Sequence, residues 1–428
     1  MNMLALLAQR RARCVVAALL VVIGSLARAQ TLYFADCNGD DVVTIDEIVL
    51  GVRIALGEDA LDRCPVFDTD ESGSVTVDEL IRAVLRALNA PAPLDLAFVT
   101  TTDFQTGSFA TIEKEPPFRV DPSTPARRVG SDPVARVFGR RVFVINRFGA
   151  DNVQILDSDR GFATLAQCST GNGSNPQDIA FVDGHTAYVP LLARPYLLRV
   201  RARPRGDCAD FIAGEIDLRA YADSDGSPEA NQAVVHEGVL YVTLERLENF
   251  APVQPGVLLR IDTRSDAVAG ALTLLAANPF GMTKGLTVRG DNLYVAEVGQ
   301  FGVNDGGIEV VDLASFASRG WVVREEELGG DITDFVLVSE DLGYAVVSLE
   351  DFSTALVSFQ PRSGRKLATV LRQDGLSDIE LDRKGQLFLS VRNIHAPGVR
   401  VFRGATGEEL TTTPLFTGLP PFDVVFLE

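Results

Sequence analysis

Histidine is almost missing from this chain. Three histidines among 428 residues, with no pair at ligand spacing on one element, leave little room for imidazole catalysis or a histidine-held metal. His185 and His236 fall in turns ahead of expected strands and His395 in a longer loop, where an isolated histidine is usually just a solvated residue. There is no G-x-S-x-G turn, no H-E-x-x-H and no Walker loop, and "GNGSNP" departs from the dinucleotide pattern at its last position. Basic charge is also short: 39 Lys and Arg against 58 Asp and Glu give a net charge of −19. That balance opposes nucleic acid and anionic lipid and favours cations or neutral partners. Beyond residue 29 no stretch approaches the roughly 18 apolar residues of a membrane span.

Residues 1–29 carry the three parts of a secretion signal: Arg10, Arg11 and Arg13, an apolar run from Cys14 to Leu26, and the small-x-small site Ala27-Arg28-Ala29. The expectation is a secreted, periplasmic or cell-surface protein that is free of the membrane after cleavage. Cleavage removes one of five cysteines and leaves Cys37, Cys64, Cys168 and Cys208. An even number in an exported chain favours two disulfides over metal or redox chemistry. Three pairings are possible; Cys37–Cys64 and Cys168–Cys208 are expected because each stays within one domain.

What the sequence does have is acid at regular spacing. A shift of 32 residues superimposes Asp36 on Asp68, Asn38 on Asp70, Asp40 on Ser72, Thr44 on Thr76 and Glu47 on Glu79. Each loop offers side-chain oxygen at positions 1, 3, 5, 9 and 12 and the carbonyl of Val42 or Ser74 at position 7, which is how a flexible loop surrounds a large hard cation. Position 6 requires φ above zero, which suits Gly73 and is tolerated by Asp41; the first site is expected to be the weaker. Val43 and Val75 are expected to pair the loops through a short strand. The register continues into two amphipathic helices, with Ile48, Val49, Val52 and Leu56 falling on Leu80, Ile81, Val84 and Leu88 as the apolar faces expected to bury against each other.

These residues resemble EF-hand loops, because Glu47 and Glu79 stand at position 12, and dockerin modules, because only Gln30 to Ala35 precede the first loop and Pro65 interrupts the approach to the second. The resemblance spans residues 30–88 and implies two Ca2+ sites. Dockerins usually carry Asp at position 12 and serve as plugs for cohesin receptors; the glutamates here depart from that pattern.

After a Pro-rich linker at 89–95, helical periodicity gives way to strands and turns. Aligning "LAFVT", "RVFVI", "TAYVP", "VLYVT", "NLYVA", "LGYAV" and "QLFLS" marks Phe98, Phe143, Tyr188, Tyr241, Tyr294, Tyr344 and Phe388, at intervals of 45, 45, 53, 53, 50 and 44. Such a period without helices indicates propeller blades of four strands. The C-terminal "PPFDVVFLE" is expected to supply the inner strand of the first blade and close the ring. The pattern resembles YVTN-type repeats. The expected fold is therefore mostly β: a seven-bladed β-propeller over 96–428 preceded by a small α-helical EF-hand/dockerin-like module over 30–88.

Ten residues before the aligned aromatics stand Pro133, Asp178, Asn231, Lys284, Asp334 and Asp378, with Asp423 in the closing strand. The last five of these and Asp178 form a candidate ligand ring at the channel mouth, for a metal or a sugar-like ligand; Asp or Asn bonded to its own turn is the competing reading. "DSDGSPE" at 223–229 echoes a calcium loop without its exiting helix. Insertions at 246–255 and 299–307 lengthen one rim, where a rigid scaffold holds out partner-binding loops. The functional expectation is a secreted calcium-binding protein whose propeller face holds a protein or carbohydrate partner. A hydrolase or lactonase using the acidic channel, and a dockerin-like plug, are the alternatives.

Overall fold

The computed structural model describes residues 34–70, 72–89 and 94–427; the expected signal and residues 90–93 of the expected linker lie outside the described residues. The chain divides into two compact units, Met1–Ala92 and Pro93–Glu428.

In the first unit, helices α1 (Ile45–Ala55) and α2 (Val77–Leu88) each begin with a capping box. The Thr44 and Thr76 hydroxyls accept from the N–H of Glu47 and Glu79, whose carboxylates accept in return from the threonine N–H. This satisfies donors that a helix start otherwise leaves unpaired. The core consists of Phe34, Ala35, Val43, Ile54, Cys64, Phe67, Val75 and Ala83. Val43 and Val75 are buried as expected of position 8, but no strand forms among the described residues of this unit.

The expected apolar faces are not the buried ones. Ile48 and Leu80 reach the core, whereas Val49, Val52, Leu56, Ile81, Val84 and Leu88 are exposed. The buried stripes are instead Glu47, Gly51 and Ile54 on α1 and Glu79 and Ala83 on α2. Gly51 and Ala83 are equivalent under the 32-residue shift, and the reason is close approach: a Cβ on Gly51 would lie 2.4 Å from the Phe67 ring. Small residues admit the ring, so the helices turn their small sides inward and leave the larger apolar side chains outside. Cys37 and Cys64 are bridged across 27 residues, a closure that contributes about 3–4 kcal/mol in the chain-entropy picture.

The second unit is a seven-bladed β-propeller with four strands in each blade. The inner strands of blades 2 to 7 are Pro133–Phe138, Ala180–Phe181, Ala230–His236, Leu286–Arg289, Asp331–Leu337 and Leu376–Leu381. Blade 1 takes Leu96–Thr102, Gly107–Glu113 and Val120–Asp121 from the start of the unit and its inner strand, Pro421–Leu427, from the end. The two pair antiparallel from Leu96 opposite Leu427 to Thr101 opposite Pro421, so the ring closes and the inner edge of the second strand in blade 1 is paired. Lys114, almost fully buried, pairs with Asp95 at 2.8 Å and with Asp382 of blade 7 at 3.7 Å, tying the first and last blades beside this closure.

The aligned aromatics all lie on second strands. These strands are flanked by sheet on both sides and by blades on both faces, so they read as short apolar runs. In blades 4 and 5 the third strand ends in an aspartate that caps the following turn: Asp262 accepts from the Arg264 and Ser265 N–H groups at 3.0 and 2.9 Å, and Asp312 from Ser315 at 2.6 Å. The second disulfide, Cys168–Cys208, ties the outer strand of blade 2 (Ala163–Ser169) to the loop before the outer strand of blade 3 (Ile212–Asp217).

Gly51→Ala separates packing from propensity. Alanine favours the helix by about 1 kcal/mol, but its methyl must displace a buried ring at a cost of about 1–3 kcal/mol. Denaturant unfolding of the first unit should show a net loss of stability; a gain would mean that the Phe67 contact does not set the helix orientation.

Candidate functional site

The two acidic loops wrap around their own first carboxylate. Asp36 accepts from the N–H of Asp40 at 3.0 Å and Asp41 at 2.9 Å; Asp68 accepts from Ser72 at 2.9 Å and Gly73 at 2.7 Å. Position 6 holds positive φ in both loops, +70° at Asp41 and +83° at Gly73. The position-12 glutamates reach back to the loop start as well as to the cap: Glu47 Oε1 accepts from Cys37 N at 2.7 Å and Glu79 Oε1 from Thr69 N at 2.7 Å. Desolvation works to raise the Glu79 pKa, but these N–H groups outweigh it and hold the carboxyl below its usual value. Asp68, Asp70 and Glu79 place carboxylate oxygens within 4.8 Å of one another. In the first loop Asn38 replaces the acid of position 3 and bonds Asp40 at 3.1 Å. Ser72 approaches the Ser74 carbonyl at 3.1 Å, so the second loop presents an all-oxygen set that suits a hard divalent cation. Val42, Thr44 and Thr76 occupy the remaining positions along these loops.

The inner-strand residues come together, and their polar atoms join neighbouring blades. Asp178 accepts from its own next N–H, Ile179, at 2.8 Å and from Ala233 of blade 4 at 3.0 Å. Asp334 accepts from Phe335 at 2.7 Å and from Ile379 of blade 7 at 3.2 Å. Asp378 accepts from Val424 of blade 1 at 3.0 Å, and Asp423 from Ala135 of blade 2 at 2.6 Å. Asn231 bonds Glu245 of its own blade. Arg136 reaches Asp178 at 2.8 Å and Asp423 at 3.5 Å, and Lys284 pairs with Glu380 at 3.0 Å. Burial pushes Asp334 up to about 8, with the Glu380 charge adding to it, and Asp423 up to about 6 against the pull of Arg136. Asp378 is raised by burial and by the charges of Asp423 and Asp334.

A different set of residues gathers outside the channel. In each blade the loop between the second and third strands opens on one face of the ring, together with the connections between blades. Those loops carry Phe104, Phe148, Phe250, Phe301, Phe352 and Ile394 in blades 1, 2, 4, 5, 6 and 7, each between 53% and 92% exposed. Phe416, in the connection to the closing strand, is exposed on the same side. Among the described residues, no exposed large apolar side chain of the propeller lies in a loop of the opposite face. Phe104, Phe250 and Phe352 hold φ of +64°, +63° and +62°. The same face bears a cleft of about 660 Å³ between blades 2, 3 and 4, with Phe148, Asp151, Asn175, Asp225, Glu229 and Phe250 in its walls. The 246–255 and 299–307 insertions contribute Phe250 and Phe301, and "DSDGSPE" contributes Asp225, Ser227 and Glu229. A partial signal for this face stands in the sequence: a large apolar residue falls five to nine places after every aligned aromatic, and in the third blade the window instead reaches Tyr196 and Leu197 of the next strand.

Asp334 provides a test of the ring. Its folded-state pKa of about 8 lies above the ordinary 3.8, so folding favours the protonated form. That contribution is complete below pH 3.8 and is lost as pH rises toward 8. Asp334→Asn removes the titration, so the difference in Tm between variant and native protein should move in favour of the variant from pH 5 to pH 9; a difference independent of pH would refute the assignment.

No protein-family model matches the chain and no curated protein matches it. Solved structures do. The dihydro-heme d1 dehydrogenase NirN in complex with DHE aligns at 16% identity and a TM-score of 0.51, over 79% of this chain and 76% of that one. A functionally unknown protein from Desulfotomaculum acetoxidans aligns at 12% identity and a TM-score of 0.51, over 78% of this chain and 99% of that one. At such identities the likeness is one of fold alone: the chain shares the propeller scaffold, on which unrelated functions are built.

Proposed function

We propose that this is an exported calcium-binding protein whose propeller is a binding or scaffold domain, engaging a protein or carbohydrate partner through the face that carries the loops between second and third strands. The observation that carries the reading is the set of exposed phenylalanines on that face, three of them on left-handed backbone. An exposed ring gains nothing from burial, and positive φ costs of order 1–3 kcal/mol for a non-glycine residue. Phe104 and Phe301 pack in part, on Phe422 and Arg392 and on Phe280 respectively, but most of the surface of the set stays in solvent, and exposed apolar side chains gathered on one face accumulate where loops meet a partner. The excess of acid over base favours a neutral or cationic partner and disfavours nucleic acid.

The acidic loops supply the calcium reading. Asp36, Asn38, Asp40, Val42, Thr44 and Glu47 would hold one ion, and Asp68, Asp70, Ser72, Ser74, Thr76 and Glu79 the other, with a role in ordering the first unit. Carboxylates gathered this closely repel one another until a cation is bound. The resemblance to EF-hand and dockerin loops and to YVTN-type blades agrees with this reading. A dockerin-like plug is favoured by a separate observation: Val49, Val52, Leu56, Ile81, Val84 and Leu88 form repeated exposed apolar faces on the two helices. For the hydrolase reading, the ring carboxylates are engaged by backbone N–H groups, which leaves Lys284 and Glu380 as its reactive groups.

Calcium titration of the full chain after chelation should raise amide protection over 36–47 and 68–79, with half-saturation of roughly 10⁻⁴–10⁻³ M as in extracellular modules. Protection that is the same with and without calcium would end the calcium reading. Capture of purified envelope proteins should drop at least about tenfold, some 1.4 kcal/mol, when Phe104, Phe301 and Phe352 are all changed to Ser. Unchanged capture by that variant, with loss on Val49→Glu and Ile81→Glu, would move the binding site to the helices.

A further inference from the structure

The cleft between blades 2, 3 and 4 has the chemistry of a specific site. Phe148 and Phe250 stand in its walls, from the second-to-third-strand loops of blades 2 and 4, with their rings 71% and 85% exposed. The polar groups between them are acids and amides, and no Lys, Arg or His lines the cleft. Several of these groups are fixed in advance. Asp151 accepts from the N–H of Gly173 and of Asn175, each at 2.8 Å, so its carboxylate is held while further lone pairs stay available. The Asn175 side-chain oxygen accepts from Gln177 at 2.8 Å. Glu229 accepts from Leu247 N at 2.9 Å. The volume of about 660 Å³ falls within the range of small-molecule sites.

The backbone supplies an independent observation. Asp151, Asn175, Glu229, Asn249 and Phe250, five non-glycine residues of this one cleft, all hold positive φ, from +46° to +63°. Asp and Asn adopt this conformation readily; at Glu229 and Phe250 it is costly, and such residues are found at ligand clamps among other places.

We infer that this cleft binds a neutral oligosaccharide, its sugar rings laid against Phe148 and Phe250 and its hydroxyls donating to Asp151, Asn175 and Glu229. A pyranose has an apolar C–H face, which stacks on a phenyl ring, and a rim of hydroxyl donors, which matches fixed carboxylate and amide acceptors. The lack of a cation in the lining disfavours phosphate, sulfate and uronate ligands. The inference rests on the reading that this face of the propeller binds, and it names the ligand class for one part of it.

The test uses the full-length protein with calcium and titrates calorimetrically a panel of neutral gluco-, manno- and xylo-oligosaccharides, with a uronate oligomer and a Lys-rich peptide as contrasts. At least one neutral oligosaccharide should bind at millimolar concentration or below. The Phe148→Ala/Phe250→Ala variant should weaken it at least about fivefold. Both rings are exposed, so an unchanged unfolding curve will show that the fold is kept. Leu165→Ser/Leu367→Ser, on exposed outer strands away from the cleft, should leave glycan binding unchanged. Three results overturn the inference: no neutral oligosaccharide binds at millimolar concentration, binding survives loss of both cleft rings, or only the Lys-rich peptide binds. If glycan binding is absent while the Phe104/Phe301/Phe352 variant still loses a partner protein, the cleft inference falls and the face reading stands; if neither that variant nor the Phe148/Phe250 variant changes any binding, both fall.

Discussion

A propeller must close, and here the closure is made by polar atoms handed from one blade to the next around the channel. Asp178 holds the N–H of Ala233, Gln232 that of Gly285, Asp334 that of Ile379, Asp378 that of Val424 and Asp423 that of Ala135. The two remaining junctions use Arg136 on Asp178 and Thr283 on Asp334. All seven junctions are therefore bridged by a side chain. Burying these carboxyls is unfavourable, which is why Asp334, Asp378 and Asp423 are shifted upward. The cost is tolerated because each would otherwise leave a buried N–H of the adjoining blade unpaired.

Closure at the centre frees the outer loops. Strands with apolar residues on both faces pack blade to blade, and of the loop rings Phe104 joins that packing through Phe422 and Arg392 while Phe148, Phe250 and Phe352 stay mostly in solvent. The phenylalanines stand there on a scaffold whose rigidity comes from elsewhere. Left-handed φ is shared by both faces: Phe104, Phe250 and Phe352 hold it in second-to-third-strand loops, and Phe118, Phe162 and Phe316 in third-to-fourth-strand loops, so what distinguishes the first face is the exposure of its rings.

The parts of the fold visible in the sequence were those imposed by short-range repetition. Second strands sandwiched between sheets must be apolar, so the aligned aromatics from Phe98 to Phe388 marked the seven blades, and the unmatched first aromatic pointed to the closing strand. Cys37–Cys64 and Cys168–Cys208 followed from keeping each pair within a unit. The helix faces were misread because hydrophobicity alone favours Val49 and Ile81 for burial, whereas the contact is made by the small residues Gly51 and Ala83 against Phe67. A pattern of apolar residues cannot distinguish a face that packs closely from one left open. The backbone partners of Asp334 and Asp423 lie 45 and 288 residues away, beyond the reach of local turn chemistry.

Sequence alone determined the number of repeats, the ends that must meet, the acidic loop register and the cysteine count, because each depends on residue types at regular spacing along the chain. Tertiary structure decided which helix side is inward, which blade each carboxylate serves, and that the exposed phenylalanines and the cleft share one face. Those outcomes depend on distances between residues remote in the chain, which are set only when the ring closes and neighbouring blades are pressed together.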